Sequence, residues 1–231
     1  MNFFNSKNKF FLDMSKAEMI SHSIVIVDNT KIVVNQAVPV SSNPFAELSS
    51  KIVLSTIMGN LLGSKQEPII DSSSFERSFV FDDIIFKSSS LPPKVIIQQN
   101  STELSNKIQD IFTEILKEIP EIESAVAAVG INFELFVAAE DSSAIKTKIF
   151  QEDMAKELES MQTTLVYPIK DNDNCKLNLT IADANYKEQK GLYFKANFHN
   201  IITADNKLKD ILKMPSDLLK QAKAKIEKLL K

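Results

Sequence analysis

PKVIIQQNSTELSNKIQDIFTEILKEIPEIESAVAAVGINFELFVAA, residues 93–139, reads as a short strand, an amphipathic helix, a stop and a long alternating strand. The Pro92-Pro93 pair favours an extended entry, and Lys94-Val95-Ile96-Ile97-Gln98 behind it is a short apolar run of strand character. Asn100 stands three residues before Glu103, so the two side chains can satisfy free amides of a first helical turn, and a helix is expected to start there. Leu104, Ile108, Ile111, Phe112, Ile115 and Ile119 follow at intervals of 4, 3, 1, 3 and 4, one apolar stripe, with Asp110, Glu114 and Lys117 away from it. Pro120 has no amide hydrogen and restrains Ile119 before it, so the helix ends there. From Ile122 the period becomes two: Val129, Ile131, Phe133, Leu135 and Val137 share one face, Gly130, Asn132, Glu134 and Phe136 the other. This predicts the central strand of an antiparallel sheet on which the helix lies.

Upstream, two β-branched runs, 22–28 and 31–38, are joined by Asp28-Asn29-Thr30, which predicts a hairpin. Asn43 as cap and Pro44 at the first helical position predict a helix over 45–62. Residues 64–76 read as an exposed loop, and Phe79–Phe86 as two strand pieces broken at Asp82-Asp83. Downstream, a helix is expected over 146–160, strands over 163–169, 175–182 and 191–199 as a meander, and helices over 205–213 and 216–230. No internal repeat is visible. The fold class expected is α+β: an antiparallel sheet with amphipathic helices packed on one face, one domain over 1–231, any division into lobes falling near 90.

At 231 residues, 44% hydrophobic, the chain can bury a core, and a net charge of −3 gives no global field for nucleic acid. Arg77 is the single arginine among 27 basic residues, which weakens a base-reading role, since arginine supplies the planar fork for guanine and phosphate. One cysteine, Cys175, excludes an internal disulfide and thiolate zinc sites. The first residues, MNFFNSKNKFF, lack the basic start and apolar stretch of a secretory signal, and no run approaches a membrane span, so the expectation is a cytoplasmic protein without membrane contact.

Catalytic constellations are scarce. There is no Gly-x-Ser-x-Gly elbow, and four glycines, at 59, 63, 130 and 191, cannot build a phosphate-binding loop. His22 and His199 are both near strand ends, where an ordinary sheet role is expected. Asp171-x-Asp173 begins like a calcium loop, but Cys175 takes the fifth position and Ala182 stands where the bidentate glutamate belongs, so it is read as a hairpin turn. Glu76, Asp82 and Asp83 are the one carboxylate group that can be weighed for acid or metal work. No enzyme activity, cofactor or metal is therefore expected.

Two features suit a partner instead. Phe3, Phe4, Phe10 and Phe11 lie within an N-terminal arm, residues 1–20, at a spacing compatible with one helical face. The last 25 residues hold eight lysines against Asp210, Asp217 and Glu227, with Lys220, Lys223, Lys225 and Lys228 on one amphipathic helix. The helix of 101–119 running into Ala128-Val129-Gly130-Ile131-Asn132-Phe133 resembles the SecB-like proteins, the export-chaperone fold and its uncharacterised prokaryotic relatives, over about half the chain and not over 1–75. The resemblance implies an antiparallel sheet with packed helices, homo-oligomerisation and binding of unfolded or partner protein. The expected function is a non-enzymatic protein-binding module, an adaptor, chaperone-like protein or inhibitor of a bacterial or phage conflict system. It would act by surface burial, with the phenylalanine arm, a mixed sheet face and the four lysines as contacts. The alternative is a nucleic-acid-associated protein using the lysine helix on phosphate.

Overall fold

A computed structural model describes residues 13–28, 57, 59, 69–72, 76–90, 93–139, 142–170 and 172–230, with the backbone alone at 28, 69–72, 76, 77, 90, 93 and 144. The strands are β1 (Glu18–Asp28), β2 (Ile69–Ser72), β3 (Glu76–Phe81), β4 (Ile84–Ser90), β5 (Pro93–Gln99), β6 (Val126–Ala138), β7 (Gln162–Ile169), β8 (Asn172–Tyr186) and β9 (Gln189–Ile201). The described helices are α1 (Lys107–Glu118), α2 (Glu121–Ala125), α3 (Ser143–Ile149), α4 (Glu152–Glu157), α5 (Leu208–Ile211) and α6 (Pro215–Leu230), with a short 3-10 turn at Met14–Lys16. The strands form one antiparallel sheet in the order β2-β3-β4-β5-β1-β6-β9-β8-β7. The fold is thus α+β.

The organising strand is central as its composition requires. β6 pairs with β1 and with β9, and most of its residues are buried, Gly130, Asn132 and Phe136 included. Such a position suits a strand with apolar residues on both faces better than one with a wet face. Ile24 and Ile26 of β1, Val95 and Ile97 of β5, alternate residues of β8 and β9, and the stripe Ile108, Ile111, Phe112 and Ile115 of α1 join one core cluster with it. Phe133 and Phe198 meet edge to face at 6.3 Å, a pairing that adds about 0.5–1.5 kcal/mol to simple burial.

Several local expectations need correction. Both edges of β1 are occupied, by β5 and β6; the second strand of the hairpin expected between 22–28 and 31–38 lies outside the described residues. Ile69–Ser72, expected within a loop, is the edge strand β2. α1 begins at Lys107: Ser101 closes a turn on Glu103, and the Ser105 hydroxyl accepts from the Lys107 amide at 3.3 Å, leaving Asn100 outside the helix. The helix expected over 146–160 is two, α3 and α4, because Phe150 and Gln151 between them are extended. The expected helix over 45–62 lies outside the described residues except Ile57 and Gly59, both helical, with Ile57 buried. Of the N-terminal arm expected over 1–20, residues 1–12 with Phe3, Phe4, Phe10 and Phe11 also lie outside them, whereas 13–20 belong to the fold: Met14 and Met19 are buried in the core and β1 begins at Glu18.

The connectivity repeats although the sequence does not. After β1 the chain re-enters the sheet far from it and winds back through β3 and β4 until β5 lies against β1; α1 follows. After β6 it passes through α3 and α4, re-enters at the far edge with β7, and winds back through β8 until β9 lies against β6; α5 and α6 follow. The two first strands pair with each other in the middle of the sheet, Ile24 opposite Ile131.

Candidate binding surface

α6 is built by its sequence to bury one apolar stripe and to leave most of its lysines outside it. Pro215 sits at its first position and Asp217 in its first turn, where a missing amide and a negative charge are both favourable; Lys228 is in its last. Leu218, Ala222, Ile226 and Leu230 are buried, a stripe at intervals of four. Lys148 of α3 donates to the Leu230 carbonyl at the C-terminal end, where free carbonyls favour a cation.

The helix meets the end of the sheet. Among the described residues β7 pairs with β8 alone and is the last strand in the order. Its Leu165, Tyr167 and Ile169 are partly buried against the core, and Tyr167 stands opposite Leu177. Val166, on the other face, is 60% exposed. Between β7 and α6 lies an open cleft of about 510 Å³, with Tyr167, Ile169 and Leu177 from the sheet and Lys170, Gln221, Lys225 and Lys228 around them. The Lys225 ammonium sits 4.1 Å from the centre of the Tyr167 ring, a cation–π contact, and burial raises the Tyr167 pKa.

The four lysines singled out from the sequence are not brought together. Lys225 and Lys228 border the cleft, whereas Lys220 is exposed and ion-paired with Asp217 at 3.3 Å and Lys223 is half-buried. Lys209 and Lys213 also have carboxylate partners, Glu123 at 2.8 Å and Asp210 at 3.4 Å. Among the described residues, Lys170, Lys225 and Lys228 have none, and no carboxylate lines the cleft. A charge run in the sequence thus resolves into a compensated part and an uncompensated part. The additional member, Lys170, lies in a turn and carries no signal in the sequence.

The face of the sheet opposite the core is mixed. Val25, Val80, Ile85 and Ile96 are half-buried there, and a row of polar side chains crosses it in register: Ser23, Asn132, Asn197 and Asn178. The Asn132 amide donates to the Ser23 hydroxyl at 3.1 Å, Asn197 donates to Asn132, and Asn178 donates to Asn197 at 3.4 Å. Asn132 and Asn197 each donate to one neighbour and accept from the next, so the row pins four strands in register. Tyr193 lies nearby; burial first, then the Glu134 charge, pushes its pKa up.

The residues weighed for chemistry are dispersed. Asp82 and Asp83 form the tight β3–β4 turn, with Asp82 at φ 47° and exposed. Asp83 accepts from the Gln99 amide at 2.5 Å and pairs with Lys107 at 3.2 Å; desolvation would raise its pKa, but these hydrogen bonds and the charge prevail and lower it. The side chain of Glu76 lies outside the described residues. His22 is in β1, facing the core, and is far from exposed His199 in register. Cys175 is buried, and burial pushes its thiol up to about 11, the state of an unreactive core cysteine. Asn172 accepts from the Asn174 amide at 3.1 Å in the expected turn, and Asp173 is exposed. Among the described residues no group of three or more histidine, cysteine, aspartate or glutamate side chains is placed to hold a metal, and no helix is long and apolar enough to cross a membrane. Comparison with protein-family models, curated proteins and solved structures found no match.

Proposed function

We propose that this chain is a non-enzymatic protein-binding module, an adaptor, chaperone-like protein or inhibitor that works by burying part of its surface against another protein. The observation that carries the reading is the cleft between β7 and α6, which brings together an apolar floor, three lysines without carboxylate partners among the described residues, and a sheet edge that no described strand covers. Apolar area supplies affinity on burial, and uncompensated charge around it steers the encounter and selects the partner. In this reading the helices cover one face of the sheet, the SecB-like resemblance accounts for the arrangement, and the chain self-associates. The phenylalanine arm and the mixed face add contact area.

The test is capture from the native host by the full chain, by a chain lacking residues 1–12, which leaves buried Met14 and β1 in place, and by Lys225→Glu/Lys228→Glu. A stoichiometric protein retained by the full chain and lost from the charge-reversed variant supports the reading. Recovery of nuclease-sensitive material alone replaces it with the nucleic-acid reading.

A further inference from the structure

We propose that the partner presents an acidic, extended segment that adds, as a further strand, to the edge of β7 that no described strand covers. Its apolar side chains would enter the cleft under α6 and its carboxylates would meet Lys170, Lys225 and Lys228. This rests on the protein-binding reading and names its partner class.

The edge comes first. A terminal strand leaves alternate backbone amides and carbonyls without partners, and an extended peptide satisfies them by pairing. Pro168 has no amide hydrogen, so the added ladder is confined to the part of β7 before it. Side chains of the added strand alternate between the two faces, so every second one lies beside Leu165 and Tyr167, at the mouth of the cleft.

Charge then selects the segment. Lys225 and Lys228 are three apart on one helix face and repel each other; a carboxylate between them relieves that repulsion. Lys209, Lys213 and Lys220 are already paired with carboxylates, whereas Lys170, Lys225 and Lys228 keep their charge for a segment at this edge. A peptide is favoured over a nucleic acid by two features. The floor is apolar beside free backbone, and the aromatic ring available for stacking a base, Tyr167, is already covered by Lys225.

The test uses the full chain and a fluorescein-labelled peptide about ten residues long, enough to span β7 at ~3.3 Å per residue, with valine and glutamate taking turns at every second position and threonine between them, so that apolar and acidic side chains both face α6. Anisotropy is followed at low and high salt, and hydrogen exchange of the unmodified chain is compared with and without peptide. The expected result is saturable binding with slowed exchange confined to β7. Binding should weaken about tenfold in Lys225→Glu/Lys228→Glu and stay unchanged in Lys209→Glu. A peptide with glutamine for glutamate should bind correspondingly weakly. The proposal is overturned if binding leaves β7 exchange unaltered, or if single-stranded oligothymidine of matching length binds the same lysines more tightly. Absence of peptide binding by a chain that still captures its host partner overturns strand addition alone; absence of both removes the protein-binding reading as well.

Discussion

His22 is 2% exposed in β1, opposite Phe133 and Gln99, and among the described residues neither ring nitrogen has a well-formed hydrogen bond. Burial pulls its pKa down to about 4 from 6.5; a Ser105 backbone group and the Asp83 charge oppose that effect without cancelling it. The imidazole is therefore neutral in the folded chain when the unfolded chain has begun to bind a proton. Stability is greatest above 6.5, falls as pH drops, and levels off below about 4. The loss over that window is of the order of 3 kcal/mol, because each tenfold difference in proton affinity between the folded and unfolded chain corresponds to about 1.4 kcal/mol. Urea denaturation at a series of pH values should show this limb and show it flattened in His22→Leu; an unchanged slope would remove His22 as its source. Asp83, whose pKa is lowered, adds its own loss only below 3.8, in a separate window. A second residue is constrained by space. A Cβ on Gly191 would collide with the Val137 carbonyl oxygen and lie 2.6 Å from the Phe136 ring, which also packs on Tyr186. Because one neighbour is backbone, Gly191→Ala should cost about 1–3 kcal/mol of stability, read as a lower urea midpoint with the slope unchanged.

Among the elements, α3 is held to the sheet by a charge. Lys146, 8% exposed, pairs with Asp183 of β8 at 3.2 Å and donates to the carbonyls of Leu158 and Glu159 at 3.3 and 3.2 Å. Asp183 in turn accepts from the Met161 amide at 2.7 Å, so one pair ties α3, the approach to β7, and β8. Removing the carboxylate strands a buried ammonium, whereas removing the ammonium leaves a carboxylate that solvent can still reach. Asp183→Ala should therefore destabilise by about 3 kcal/mol and Lys146→Met by clearly less, measured by denaturant titration of both variants. Nothing local announces this pair, because its members are 37 positions apart in sequence. The same limit governs the rest. The strands of residues 162–201, the β3–β4 turn and the terminal helix are legible because period, turn residues and apolar stripe are local properties. The start of α1 is hidden because its polar residues are engaged across the fold: the Ser105 hydroxyl donates to Gln99 at 2.5 Å. The lysine helix is legible as a charge run, but that two of its lysines flank β7 depends on which strand ends the sheet.

At the scale of the molecule, two stretches of unlike sequence follow the same path: a strand, a crossover, a meander winding back to that strand, then a helix. Repetition escapes the sequence because it is carried by connectivity, and apolar residues of many kinds fill equivalent strand positions. The two halves join at the centre, where β1 pairs with β6 over most of its length through side chains such as Ile24 opposite Ile131 and Ser23 bonded to Asn132. That junction joins the two halves of one sheet, which the chain links through Ile119, Pro120 and α2. Cutting the link removes one covalent connection and no strand pair. Residues 1–119 and 120–231, produced together, should therefore assemble into a one-to-one complex with the circular dichroism of the intact chain. Each alone leaves β1 or β6 with an unpaired apolar edge and should aggregate, as free strand edges do. Size-exclusion chromatography with light scattering separates these cases. Two halves that each remain monomeric and folded when mixed would mean that β1 and β6 do not hold the sheet together, and the central pairing would lose its role as the organising contact.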